Sequence, residues 1–283
     1  MSDIKKKLDF LVTSHKKLTG SDLNYEIATS YIDLFKRIKN KKTLMISGSQ
    51  GSGKSTMSLQ IKKYFKKYYS KNVVILSLDD FYLSSHQRKL LAKRHNTNLF
   101  ETRGVPGTHN LKLLNQTIRY LKSNKFPLFL PVFDKVSDNR KKYRRKVNKA
   151  DLIILEGWCV GSKPIDPNYL KKNINDLEKI GDSNLLWRTA YNNALVEYQK
   201  LFNKFSCYIF IKIPSWDFVI DWKYKQELGL RSSHTNIHLK KKLLTFIQYY
   251  EKLSKWMSLT SPSYCNVLIT LDKKQTAKKI TYK

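Results

Sequence analysis

The sequence predicts an α/β protein with a mainly parallel, five-stranded sheet covered by helices on both faces. Three observations carry this. Five short, continuously apolar runs recur along the chain, helix-length amphipathic stretches separate them, and the first run ends in a glycine-rich turn that opens a helix. Strands joined through helices run parallel with right-handed crossovers. Apolar runs without polar alternation suit strands buried on both faces.

In chain order, residues 1–40 read as helical, with Ser21 and Asp22 as candidate caps of a second helix. That helix would bury Tyr25, Ala28, Ile32, Phe35 and Ile38 on one face. Thr43–Ser47 (TLMIS) is the first strand and Lys54–Tyr69 the helix after it. Asn72–Leu78 (NVVILSL) is a β-branched second strand, and Asn110–Lys122 is helical. Ala150–Leu155 (ADLIIL) is the third strand, followed by a helix over Leu185–Phe202. Cys207–Ile213 (CYIFIKI) is the fourth strand, stopped by Pro214. Helices over Asp217–Leu228 and His238–Leu259 lead to the fifth strand, Cys265–Leu271 (CNVLITL). Asp138–Lys149 reads as a basic loop, and Lys273–Lys283 as a solvated edge or tail. No repeat or Gly/Pro/Ser-rich linker divides the chain. The expected organisation is one domain, residues 41–283, with residues 1–40 packed on it as a helical elaboration.

Composition bounds the function. Of 283 residues, 41% are hydrophobic and 12% aromatic, enough for a sizeable core. No apolar stretch approaches the ~20 residues that span a bilayer, and the N-terminus lacks a secretory h-region. Cys159, Cys207 and Cys265 form no Cys-x-x-Cys pair, which argues against a disulfide framework or a zinc site. A reducing cytoplasm is the expected compartment. Lys+Arg is 54 against Asp+Glu 22, a net +32. Such an excess can mark a phosphate-rich partner. Here Lys greatly outnumbers Arg and Asn is frequent, as AT-rich codons produce, whereas nucleic-acid sites lean on Arg. No specific nucleic-acid partner and no membrane partner is expected.

The strongest motif is GSQGSGKS, Gly48–Ser55, a match to G-x-x-x-x-G-K-[ST] between a strand and a helix. Such a loop wraps phosphates with backbone N–H groups at a helix N-terminus. It predicts the three-layer P-loop NTPase form of the α/β class. Gly48, Ser49, Gln50, Gly51, Ser52, Gly53, Lys54, Ser55 and Thr56 are the expected nucleotide-binding residues. Lys54 would reach the β- and γ-phosphates, and the Ser55 hydroxyl would bind Mg²⁺. ATP and Mg²⁺ are the expected cofactors. In LSLDDFYL, Asp79 and Asp80 follow the second strand, at the strand end that lines the ligand crevice in such sheets. An Asp there can accept a hydroxyl proton or help hold Mg²⁺. Because the two point in different directions along an extended segment, one of them is expected to act. In ADLIILEGW a buried strand ends in Glu156, a position suited to a metal-holding acid.

GSQGSGKS, LSLDDFYL, TRGVPGTHN, LPVFDK and LEGWCVG stand in the same order as in the D-glycerate 3-kinase family, which this chain resembles over roughly residues 40–260. Asn192, Leu195 and Tyr198 match a further helical pattern there. Trp222–Arg231 (WKYKQELGLR) is similar to that family's W-R-x-x-Q-E segment, implying lid residues Lys223, Gln226 and Arg231. The wider group includes uridine kinase and phosphoribulokinase, in which an Asp of a D-x-F-Y-like segment serves as base. That resemblance implies Asp79 as base, with Lys54 on the transferred phosphate and Asp80 and Tyr82 toward the substrate. This chain departs from the family at Asn110 (usually Asp), at Ser137–Arg140 (a shifted G-D-R) and at Lys223 (usually Arg). All three fall on the substrate or lid side and spare the nucleotide core.

Arg103, His109, Lys135 and Arg140 form the candidate acceptor-side set, since arginine can fork a carboxylate. The expected activity is phosphorylation of a hydroxyl of a small anionic metabolite, with D-glycerate first. The alternatives are kinases for nucleosides, sugar acids or pantothenate-like acceptors, a nucleic-acid-associated ATPase or polynucleotide 5′-kinase, and a nucleotide-binding regulator.

Overall fold

The computed structural model describes residues 2–231 and 237–283, and the side chains of these except 226–242. Helix α1 (Asp3–Thr19) stops at Gly20, whose φ of 75° is left-handed. Helix α2 (Tyr25–Ile38) is capped by Asn24, whose side chain accepts the Ile27 amide at 2.8 Å. The cap therefore lies two to three residues beyond the expected Ser21 and Asp22. Leu23 explains the shift: it is buried just before the cap, in the same apolar cluster as Ala28 one turn on, the placement of a hydrophobic staple. Tyr25, expected inside, is 53% exposed and donates its hydroxyl to Asp9 at 2.8 Å.

The core elements follow the apolar runs: β1 (Thr43–Gly48), α3 (Lys54–Tyr69), β2 (Val73–Ser77), then α4 (Ser85–Arg94) and α5 (Leu111–Lys122). Next come four short strands, β3 (Leu128–Leu130), β4 (Phe133–Asp134), β5 (Asn139–Arg140) and β6 (Arg145–Val147). They are followed by β7 (Leu152–Gly157), α6 (Pro167–Lys171), α7 (Leu186–Phe202), β8 (Tyr208–Lys212), α8 (Asp217–Arg231), α9 (Ile237–Tyr264), β9 (Val267–Leu271) and β10 (Ala277–Tyr282).

The main sheet runs in the order β10-β9-β8-β1-β7-β2, and all its pairings but β9–β10 are parallel. It has six strands where the sequence predicted five. The lysine-rich segment expected to be solvated pairs antiparallel with β9 because Ala277 and Ile280 turn inward while Lys278 and Lys279 stay exposed. The expected basic loop over 138–149 likewise pairs: β5 with β4, and β6 with β3.

Successive residues of the central strands serve opposite layers. Leu44, Ile46, Leu152, Ile154, Ile209 and Ile211 face a cluster shared with α1, α2 and α3. Met45, Ile153, Leu155 and Phe210 face one built with α5, α7 and α9. The N-terminal helices join the first cluster through Phe35, whose ring lies 5.0 Å from that of Tyr64 on α3.

Candidate active site

The carboxyl ends of β1, β2 and β7 converge on one crevice, the position at which sheets of this kind bind ligands. The loop after β1 needs glycine at its first residue. A Cβ on Gly48 would lie 2.6 Å from the Ile211 carbonyl on β8. Gly53, with φ of 86°, caps α3 and turns its first amides toward the loop. Lys54 folds back to donate to the Ser49 carbonyl at 2.8 Å. Burial lowers its pKa, opposed by the charges of Glu156 and Asp79. Ser52 Oγ and Gln50 Oε1 are buried without a partner among the described residues. At the outer rim, Gln275 of the β9–β10 turn donates to the Gly51 carbonyl at 2.9 Å. Thr56, in the first turn of α3, lines a crevice with Gln60 and the loop residues Gly51, Ser52 and Gly53.

Ser55 donates its hydroxyl to Glu156 Oε1 at 3.1 Å, joining the start of α3 to the tip of β7. Glu156 is buried, and that burial raises its pKa against the pull of Lys54. A hydroxyl and a carboxylate meeting beside a phosphate-binding loop are hard oxygen donors. They suit Mg²⁺, which takes one or two protein ligands and completes its shell with phosphate and water.

Leu78–Phe81 forms a 3₁₀ turn rather than the expected extended segment, yet it still sends its two carboxylates apart. Asp79 receives Lys135 Nζ on Oδ2 at 2.8 Å and the Tyr82 hydroxyl on Oδ1 at 2.7 Å. Burial pushes the Asp79 carboxyl up, but Lys135, Tyr82 and His109 together outweigh it and hold its pKa at about 2. Asp80 accepts the Phe133 amide at 3.1 Å, which anchors β4; burial raises its pKa.

The remaining residues expected on the acceptor side divide. Tyr82 is buried, pairs with His109 as a β-bridge, and stacks on its ring at 4.7 Å. The His109 Nδ1 meets the Tyr198 hydroxyl at 2.6 Å, and its buried Nε2 has no partner among the described residues. Burial drives the His109 pKa down to about 3, so the ring is neutral. Arg103 and the buried Arg88 share Asp138. Arg140 donates Nε to the Tyr82 carbonyl at 3.2 Å and lines a different cleft. Of the residues expected in a lid, Lys223 is close enough for its charge to act on Lys54. The side chains of Gln226 and Arg231 lie outside the described residues.

Sequence reading missed the supports. Tyr250 donates to the Arg103 carbonyl at 2.8 Å and Trp158 Nε1 to the Gly104 carbonyl at 3.0 Å. Asp138 and Arg88 were not singled out as site residues, and Tyr198 entered only as part of a helical pattern. Asp138 reaches Arg103 across 35 residues and Arg88 across 50, and the contacts of Trp158, Tyr198 and Tyr250 span more, so no local spacing marks them.

The fold, the phosphate loop and the acids at the strand tips define a P-loop kinase. The profile of the "Phosphoribulokinase / Uridine kinase family" matches residues 44–162. The probable ATP-dependent kinase TDA10 of Saccharomyces cerevisiae is 36% identical over 64% of this chain and 70% of its own. The chain belongs to the phosphoribulokinase/uridine kinase family. It is 30% identical to the chloroplastic D-glycerate 3-kinase of Arabidopsis thaliana over 65% of this chain and 41% of that one. The solved D-glycerate 3-kinase of Cryptococcus neoformans shares the fold, with a TM-score of 0.70 at 20% identity over 100% of both chains. No helix among the described residues is long and apolar enough to cross a membrane.

Proposed function

We propose that this kinase transfers the γ-phosphoryl group of ATP, with Mg²⁺, to a hydroxyl of a small anionic acceptor, and that the acceptor is D-glycerate. The Asp79–Lys135 pair carries the proposal: a carboxylate at the tip of β2 with a cation 2.8 Å away, beside Lys54 and the Ser55–Glu156 contact. The Lys135 side chain is 61% exposed, so its ammonium can leave Asp79 and meet an incoming carboxylate. Asp79 then accepts the hydrogen bond of the acceptor hydroxyl. At a pKa of about 2 it is a weak base. It therefore takes the proton only as the phosphoryl group arrives, and positioning contributes more than basicity.

Lys54 would leave Ser49 for the transferred phosphate, and the loop amides would hold the remaining phosphates. Ser55 and Glu156 would hold Mg²⁺, which when bound neutralises charge on the phosphate oxygens. Arg103, already shared with Asp138, closes the acceptor side. Similarity to two proteins named as D-glycerate 3-kinases supports the choice of acceptor.

The test is ADP release over a panel of D-glycerate, L-glycerate, nucleosides, pantothenate, sugar acids and 5′-hydroxyl oligonucleotides, with the product identified by mass spectrometry. Turnover on D-glycerate well above the rest is expected. Preferred turnover on a nucleoside would move the acceptor to another class within the family.

A further inference from the structure

Beside the acceptor side lies a second cleft of about 830 Å³, walled by α5 and by the segment from Phe129 to Arg144. Lys112, Arg119, Arg140, Lys141, Lys142 and Arg144 line it, and no carboxylate does among the described residues. Lys54, Asp79 and Glu156 are not in its walls. Six like charges around one cleft repel one another, and the backbone does not let their segment drift away. Arg140 is paired with Phe133 in β4–β5, and the Lys141 amide donates to the Val132 carbonyl at 2.8 Å.

Among the described residues none of the six forms a salt bridge, and the acid whose charge Lys141 influences, Asp134, stands outside the cleft lining. Arg140 spends Nε on the Tyr82 carbonyl, while its buried Nη2 has no partner among the described residues. Burial and the nearby Arg144 lower the Arg140 pKa, which marks a cation held where an anion would relieve it. Helix α5 has no acid in its first turn, so the positive end of its dipole adds to the field. An apolar strip completes the wall: Leu113, Pro131 and Phe129, the last 51% exposed.

We propose that this cleft binds a small ligand carrying several phosphate groups, at a site separate from the P-loop. A single aromatic in the wall is too little to stack successive bases of a nucleic-acid strand, whereas six cations in a bounded cleft match a compact polyanion. The occupant would meet the same guanidinium that holds the Tyr82 carbonyl, and Tyr82 holds Asp79. Binding here is thereby linked to the acceptor side through one arginine.

The probe is inorganic tripolyphosphate, titrated calorimetrically into the full chain at physiological salt, in the Lys54→Ala background so that the P-loop does not compete. Saturable one-to-one binding is expected. Adding Arg119→Gln and Arg144→Gln should weaken it by about tenfold or more, since each removes a charge-assisted contact. Arg119→Glu with Arg144→Glu should abolish it, with circular dichroism confirming the fold of each variant. Absence of saturable binding, or equal binding by the variants, overturns the proposal. So does affinity for single-stranded oligonucleotides that exceeds that for tripolyphosphate and grows with length, which would make the cleft part of a nucleic-acid track. The readout needs no turnover, so its outcome is independent of which acceptor the kinase uses.

Discussion

The Tyr198 hydroxyl on α7 holds His109 Nδ1 at 2.6 Å while accepting the Gly107 amide at 3.0 Å. The contact ties the neutral imidazole to α7 in either ring tautomer and leaves Nε2 as its unpartnered atom among the described residues. Tyr198→Phe removes this tie with little change in volume. One hydrogen bond contributes about 0.5–1.5 kcal/mol, so acceptor KM should rise about two- to tenfold. ATP KM should stay near the wild-type value, as measured by steady-state kinetics with each substrate varied in turn.

The same histidine sets a pH response. Its folded pKa of about 3 lies below the ordinary 6.5 because of burial. As pH falls below 6.5 the unfolded chain takes up this proton and the folded chain does not. Stability from this group is therefore complete above about 6.5 and is lost progressively down to about 3. His109→Gln should flatten the decline of the urea midpoint between pH 6.5 and pH 4. An unchanged slope would assign the acid sensitivity elsewhere.

Asp79 and Asp80 should separate cleanly in kinetics. Asp79→Asn should cut kcat by about 10²–10⁴, the usual cost of losing a general base, with ATP affinity near normal. Asp80→Asn should act mainly on stability, because Asp80 anchors the Phe133 amide. A dead Asp80 variant beside an active Asp79 variant would reverse the assignment.

Lys54→Ala should abolish turnover and leave the fold intact, since its ammonium is held by one carbonyl of its own loop. Glu156→Gln should raise the Mg²⁺ concentration needed for half-maximal rate more than it raises ATP KM. Titrating Mg²⁺ at saturating ATP distinguishes the two effects.

Gly104 sits against the ring of Tyr250, where an added Cβ would come within 2.4 Å of its hydroxyl oxygen, and its φ is 123°. Gly104→Ala should lower Tm by several degrees, as overpacking of about 1–3 kcal/mol does in a chain of this size. Calorimetry of the two proteins measures it.

The parts of this molecule written in consecutive residues were legible in the sequence. GSQGSGKS predicted the phosphate loop, and the five apolar runs became strands because their periodicity and length suit burial on both faces. The tip positions of Asp79 and Glu156 followed from the same runs. The sixth strand was hidden because Lys278 and Lys279 make Ala277–Tyr282 look solvated, and a register shift between Ala277 and Lys279 breaks the alternation while letting Ala277 and Ile280 both turn inward. Arg140 looked like an acceptor ligand on charge alone. The pairing of β4 with β5 decides where its guanidinium goes, and two-residue strands leave no periodic trace. Tyr198 meets His109 only through the packing of α7, which spacing along the chain does not encode.

The main sheet also ends in cationic chemistry on both sides. The outer strand β10 carries exposed Lys278 and Lys279, and at the other end Arg145 Nη2 occupies the Ile75 carbonyl of β2 at 2.6 Å. A bare strand edge is a template on which another chain can add and so begin an aggregate, and lysine and arginine there obstruct it. Part of the basic excess thereby guards against self-association through the sheet. Neutralising Lys278 and Lys279 should make the protein more prone to precipitate at high concentration without touching its chemistry.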